Sequence, residues 1–296
     1  MSRNPRIAEQ SRRIVQAMRD GSYWDAVMDG GPALARVQSW LRMLAGDEEE
    51  APGLPLQNPG YVRFPGLRHS AWRPTSDVSG ALQLEANFQT ILDDYLSLAD
   101  TDYLHYTPPS MSRMWAVFLY TTMGVELQPV LGRCSKSFEL IKSLPRVCLD
   151  YPWGDALLSV HASEAHLKAH CSVDNLRVRC HLGLRVPKGC EMRVGTEIRQ
   201  WQEGKALLFE DSFEHEVWNR GDARRAILIV DFWHPDLSDI EIRAITAGFR
   251  KAQVRRIFLH DRTAMVNGFP PALTAHLDAV VEAQDQDPLL REFWRG

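Results

Sequence analysis

From Arg177 to Val186 the chain reads Arg-Val-Arg-Cys-His-Leu-Gly-Leu-Arg-Val, apolar at every second position. A period of two is strand geometry, because successive side chains point to opposite faces. Val178, Cys180, Leu182 and Leu184 therefore share a buried face, and Arg177, Arg179 and His181 share the other. Arg224 to Phe232 obeys the same rule, setting Arg225, Ile227, Ile229 and Asp231 against Ala226, Leu228, Val230 and Phe232. On a half-exposed strand the charged face is solvated; in a closed barrel it is the lumen.

Helical patterns flank this region. Ile7, Ile14, Val15 and Met18 share one face and Leu34, Val37, Leu41 and Leu44 another, predicting a helical hairpin over residues 1–46 with Pro32 near the start of its second helix. Acid, proline and glycine then mix over 47–60, the composition of a linker. The region from 61 to 245 holds the strands, with one buttressing helix expected over 81–98 from the spacing of Leu82, Phe88, Ile91, Leu92, Tyr95 and Leu96. Ser238-Asp239-Ile240-Glu241 is a capping box that opens a C-terminal helical extension over 246–296, whose last helix is PPALTAHLDAVVEA. With 296 residues there is room for one catalytic-sized domain plus these helices.

A net charge of −4 and a pI near 6.2 argue against nucleic acid or an anionic membrane as the main partner. The most apolar window, residues 114–127, is too short and too polar for a transmembrane segment, and no signal-peptide core follows the basic start, so a cytoplasmic location is expected. Five cysteines without a C-x-x-C pair read as free thiols.

His170 and His215 bracket the strand-like run, and Arg225 follows ten residues later. Non-haem iron is served by two neutral imidazoles on a rigid sheet, open positions for oxygen and a co-substrate, and a cation for the co-substrate's carboxylate. The usual third ligand, a carboxylate two residues after the first histidine, is replaced here by Ser172. Spacing alone leaves open that the two histidines are unrelated surface or core residues.

The stretch from RVRCHLGL through W-x-E-G-K and EDSFEHEVW to VDFWHPDL resembles the core of the aspartyl/asparaginyl β-hydroxylase family, with weaker likeness in FPGLRHSAW and EANFQTILDDYLSL, over roughly residues 60 to 245. The resemblance implies a mainly β, α+β chain around a double-stranded β-helix, jelly-roll or cupin-like, with flanking helices. It implies a dioxygenase that uses Fe(II), 2-oxoglutarate and O2, and a site lacking the carboxylate ligand. By the same resemblance His170 and His215 hold the metal, Asp211 orients a metal-bound water, and Ser159, Arg179, His181 and Arg225 bind 2-oxoglutarate. Arg177 and Arg179 are expected to grip the substrate beside the carbon that is hydroxylated; the alternative is a protein carboxylate such as Glu197 or Glu210 as partner. The substrate would be an aspartyl, asparaginyl or similar group, peptidyl, carrier-bound or a small molecule, and related proteins also hydroxylate lipid-linked chains. Two rival readings are a cupin-like module that binds metal or carboxylate without turnover, and a zinc hydrolase recruiting Asp174 or Glu214.

Overall fold

The computed structural model describes residues 5–20, 22–106, 110–265 and 270–284. Helices in chain order are α1 (Pro5–Arg19), α2 (Ser22–Met28), α3 (Ala35–Ala45), α4 (Ser79–Ala86), α5 (Phe88–Leu96), α6 (Gln128–Leu131), α7 (Ser135–Ser143), α8 (Asp239–Arg250), α9 (Ala252–Met265) and α10 (Pro271–Gln284). The strands are β1 (Trp72–Arg73), β2 (Leu104–Tyr106), β3 (Trp115–Thr122), β4 (Val125–Glu126), β5 (Ala156–His161), β6 (Ala165–His170), β7 (Arg177–Arg185), β8 (Cys190–Val194), β9 (Glu197–Gln200), β10 (Ala206–Phe209), β11 (His215–Asn219) and β12 (Arg225–Trp233).

From β5 onward the chain passes back and forth between two antiparallel sheets. One runs β1-β10-β7-β12-β5-β3-β2, with β4 paired to β3; the other runs β6-β11-β8-β9. This is a double-stranded β-helix, a jelly roll whose two inner faces enclose a lumen. β7 and β12 lie side by side over most of their length, Asp231 opposite Arg179 and Trp233 opposite Arg177. Their alternation works as the sequence predicts. Val178, Cys180, Leu182 and Leu184 join Ala226, Leu228, Val230 and Phe232 in a core shared with Leu84, Ile91 and Phe138 from α4, α5 and α7. The opposite faces turn inward. At Gly183 the backbone of the next loop comes so close that a Cβ would stand 2.3 Å from the carbonyl oxygen of Gln202.

A second core joins the lumen-side residues to the terminal helices. Trp40 of α3 meets Phe64 and Phe249, and Trp153 meets Tyr61, Tyr151, Phe249 and Phe258. Three details depart from expectation. The described residues of the first 46 form three α-helices, with Pro32 opening a short 3-10 turn ahead of α3. The single helix expected over 81–98 is broken at Asn87, and Leu82 and Leu96 of its apolar set lie 47% and 56% exposed. Residues 57–61 of the expected linker and the start of the barrel region are hydrogen-bonded to the barrel, as described below. The Ser238 capping box forms, and its Glu241 also takes both Nε and Nη2 of Arg36, tying α8 to α3. Residues 266–269 and 285–296 of the expected extension lie outside the described residues.

Candidate active site

His170 closes β6 and His215 opens β11, and the two are direct cross-strand partners. Their rings lie 4.2 Å apart between centroids, tilted by 54°. Each Nδ1 is engaged by a backbone carbonyl two residues earlier, Lys168 at 2.7 Å and Phe213 at 2.9 Å. A carbonyl can only accept, so both Nδ1 atoms carry the proton and both Nε2 lone pairs are left free to ligate. Burial lowers the pKa of both rings, that of His215 to about 3 with the neighbouring His170 adding to the effect. Both are neutral at physiological pH, the form a metal requires.

Asp211 lies in the loop before β11, fully buried. Its Oδ2 accepts from Arg177 Nη1 at 2.7 Å, while Oδ1 has no hydrogen-bond partner. Burial would raise its pKa, but Arg177 and Arg179 prevail and hold it near 2. A buried carboxylate oxygen left unsatisfied is costly unless a ligand or a metal-bound water meets it.

At the far end of the lumen Arg225, only 1% exposed, sits 4.8 Å over the Trp201 ring and reaches Ser159 Oγ at 3.4 Å. Among the described residues no carboxylate pairs with it, and its Nε is unsatisfied. Burial pulls its pKa down to about 10. His181 stacks on Trp201, and neither of its ring nitrogens has a partner; burial, then Arg179 and Arg225, depress its protonation strongly. Trp201 Nε1 is also unpaired. An unopposed buried cation among idle donors is the signature of an absent anion. Ser159 Oγ also accepts from Trp115 Nε1 at 2.9 Å, which fixes its position.

Arg177 and Arg179 point inward as expected, but the structure gives both of them protein partners. These are not Glu197 or Glu210: Glu197 is bonded to Arg199 on the surface, and Glu210 lies elsewhere. Arg177, 2% exposed, is held by Asp211, Asp231 and Ser172, so its expected grip on substrate is replaced by an internal network. Arg179 is held by Asp231 and Asp155 and keeps 17% of its side chain exposed.

Among the described residues no third histidine, cysteine or acid joins His170 and His215 as a ligand. Asp174 is bonded to Tyr151 and the Leu176 amide, and Glu214 to Arg193, so neither is placed for the zinc-hydrolase reading. One other group, His69, Glu210 and His234, gathers three potential ligand atoms within 4.8 Å. There, however, the Arg73 guanidinium already sits 2.8 Å from Glu210 and 2.9 Å from His234 Nε2, and the remaining ring nitrogens bond to Asn175 and the Asp236 amide. A fixed cation fills the place a metal would take, and the cluster is read as structural.

The segment after residue 56 braces this end of the barrel. Asn58 N and Gly60 N donate to the carbonyls of Ser212 and Ser172, Tyr61 N donates to that of Val173, and Glu214 N donates back to that of Leu56. These partners follow His170 and precede His215, at the end of the two strands where the histidines sit. Sequence reasoning missed this brace, because composition marks a loop but not what the loop binds. It also missed Trp201, Trp115 and Asp155. Trp201 was within reach, since it opens the W-x-E-G-K phrase, and Asp231 already stood in the inward-facing set of β12.

Comparison with known proteins gives the family. A family model described as aspartyl/asparaginyl beta-hydroxylase matches residues 85–235. The human aspartate beta-hydroxylase domain-containing protein 2 is 36% identical over 175 residues, 55% of this chain and 46% of that protein. The human domain-containing protein 1 is 34% identical over 234 residues, 72% of this chain and 59% of that protein. The chain thus spans about half the length of the curated relatives it matches. A solved oxidoreductase of the 2OG-Fe(II) oxygenase family from Burkholderia pseudomallei aligns with a TM-score of 0.40 at 12% identity, covering 62% of this chain and 96% of that one.

Proposed function

Because the chain belongs to the aspartyl/asparaginyl β-hydroxylase family, we propose that it is an iron(II)- and 2-oxoglutarate-dependent dioxygenase that hydroxylates the β-carbon of an aspartyl, asparaginyl or similar group. The observation that carries the reading is the paired, neutral His170 and His215, each with Nδ1 tied to a carbonyl and Nε2 left open, at one end of a lumen whose other end holds the unopposed Arg225. When bound, iron and 2-oxoglutarate supply the oxidising power, with succinate and CO2 as the co-substrate's products.

The chain's own residues divide the remaining work. His170 and His215 hold the metal from adjacent strands, so their separation is fixed by the ladder rather than by loop conformation. Asp211 Oδ1 takes a hydrogen bond from a metal-bound water and orients it, in place of a third protein ligand. Arg225, with Ser159 Oγ beside it, pairs with the far carboxylate of 2-oxoglutarate. His181 and Trp201 offer hydrogen-bond donors along the lumen and form a wall that excludes water. Arg179, the partly exposed arginine, faces the incoming substrate.

The test is anaerobic reconstitution with iron(II), calorimetric titration with 2-oxoglutarate, and succinate formation on admitting oxygen. Wild type is expected to bind and turn over, His215→Ala to lose the metal, and Arg225→Ala to keep the metal while losing 2-oxoglutarate. A reconstituted protein with no affinity for 2-oxoglutarate would sink the proposal in favour of a metal- or carboxylate-binding module.

A further inference from the structure

On the outer side of the larger sheet, away from the lumen, a cleft of about 170 Å³ lies between the end of α5 and strands β3 and β5. Buried Ala116 and Val160 line it from the sheet, half-buried Tyr95 and Tyr103 from the segment opposite, and exposed Asp100 and Arg224 at its rim. Leu96, 56% exposed and outside the core, borders the same space. Burial raises the pKa of both phenols, so both keep their protons at neutral pH. Among the described residues neither hydroxyl has a hydrogen-bond partner. Half-desolvated donors beside an apolar surface suit a molecule with an apolar body and an acceptor oxygen. At the rim Arg224 Nη1 is already bonded to Asp100 Oδ1 at 2.8 Å, so an incoming charge finds no free counter-ion and an uncharged molecule is favoured. The size is that of a single ring, since a cavity of about 150 Å³ accepts benzene.

The sheet is one layer thick, and the cleft backs directly onto the far end of the lumen. Trp115, His161 and Arg225 are cross-strand partners on β3, β5 and β12, and Ala116 and Val160 are partners in the next row. Val160 stands between Ser159 and His161, Ala116 follows Trp115, and Arg224 precedes Arg225. Inside the lumen the same strands carry the Arg225–Ser159 and Trp115–Ser159 contacts. Whatever packs on the outer face therefore packs on the strands that hold those contacts.

We propose that this cleft is a second ligand site, for a compact uncharged ring-sized molecule bearing a carbonyl or ether oxygen, and that its occupancy tightens 2-oxoglutarate binding at Arg225. The oxygen accepts from the hydroxyls of Tyr95 and Tyr103 while the ring lies against Ala116, Val160 and Leu96. A ligand seated there supports the strands from outside, so the anchor is better ordered before the co-substrate arrives. The coupling rests on the oxygenase reading, whereas the site itself does not.

The experiment uses cyclohexanone as the probe, with cyclohexanecarboxylate as its anionic comparison, followed by titration of NMR signals with the 296-residue chain. Cyclohexanone is expected to bind more tightly than the acid. Its affinity should fall at least about fivefold in Tyr95→Phe/Tyr103→Phe, which keeps both rings, and vanish in Ala116→Val, which narrows the cleft. Calorimetry on the Mn(II)-loaded protein is expected to show 2-oxoglutarate bound at least threefold more tightly when cyclohexanone is saturating, with no such gain in the double variant. Absence of cyclohexanone binding, tighter binding of the acid, an affinity unchanged in the double variant, or a 2-oxoglutarate affinity indifferent to the probe would overturn the proposal. If Ala116→Val does not fold, the double variant decides alone. Cyclohexanone binding as expected in a protein with no affinity for 2-oxoglutarate would support the site and mark failure of the oxygenase reading instead.

Discussion

Arg225 carries a cost that folding does not repay. A guanidinium without an ion-pair partner in a buried lumen is destabilising, and the fall of its pKa to about 10 expresses that penalty. Its contact with Trp201 offsets part of it. Arg225→Gln is accordingly expected to unfold at the same or higher urea concentration as apoprotein, while its 2-oxoglutarate dissociation constant rises at least about 30-fold, roughly 2 kcal/mol at 1.4 kcal/mol per tenfold. Equilibrium unfolding and calorimetry on the same sample check both halves. The histidines make a second residue-scale prediction. His161, His170, His181 and His215 all have folded-state pKa values below the ordinary 6.5, chiefly through burial. As pH falls below about 6.5 the unfolded chain takes up protons that the folded chain refuses, so stability is lost in that window, by up to about 1.4 kcal/mol per pH unit per histidine. Asp174 and Asp231, raised by burial, act in the opposite direction and offset part of the loss. Urea midpoints of the apoprotein should therefore be flat from pH 8 to 7 and fall from pH 6.5 to 5, with a shallower fall in His181→Gln. At this scale His215, Asp211 and Arg225 stand inside the stretch that carries the family resemblance and His170 stands seven residues before it, so all four could be named from the sequence. The partners of Arg177 and Arg179 were not, because Asp155 and Asp231 lie 24 and 52 residues from Arg179 in sequence and reach it only through the sheet.

The strands that place these residues depend on tight packing between the barrel and its loops. Gly183 stands opposite a register shift between Ala226 and Ile227, with the Gln202 carbonyl against its bare Cα. Gly183→Ala would push a methyl into that backbone, and a loss of about 1–3 kcal/mol is expected, together with weaker 2-oxoglutarate binding because His181 lies two residues away on the same strand. Thermal denaturation with and without 2-oxoglutarate tests this. An effect on stability that left ligand affinity untouched would show that the strand absorbs the insertion locally. Period-two alternation made β7 and β12 readable down to individual faces, since each face meets a different environment. The break at Asn87 was not readable: Leu82 and Leu96 keep helical spacing with their neighbours although the structure leaves them outside the core. Periodicity records where apolar residues recur, not whether a partner surface exists there.

Over the whole molecule the terminal helices and the barrel share one core. Trp40, Phe249, Trp153 and Phe258 meet where α3, α8, α9 and the loop before β5 converge, and Arg36 of α3 pairs with Glu241 of α8. A chain lacking residues 1–46 would expose this aromatic cluster, and it is expected to melt several degrees lower and to aggregate, which light scattering during a thermal ramp would detect. Retention of the melting temperature of the 296-residue chain would mean that the helices are an accessory. The brace formed by residues 57–61 has a different consequence, one that concerns inheritance rather than stability. The family-model match begins at residue 85, and every proposed ligand lies after that point. The hydrogen bonds that hold the ends of both histidine-bearing strands nevertheless come from a segment upstream of the match. The stretch that the family model spans is thus shorter than the stretch that must travel together: a transplant copying residues 85–235 alone would carry the proposed ligands without the scaffold that aims them.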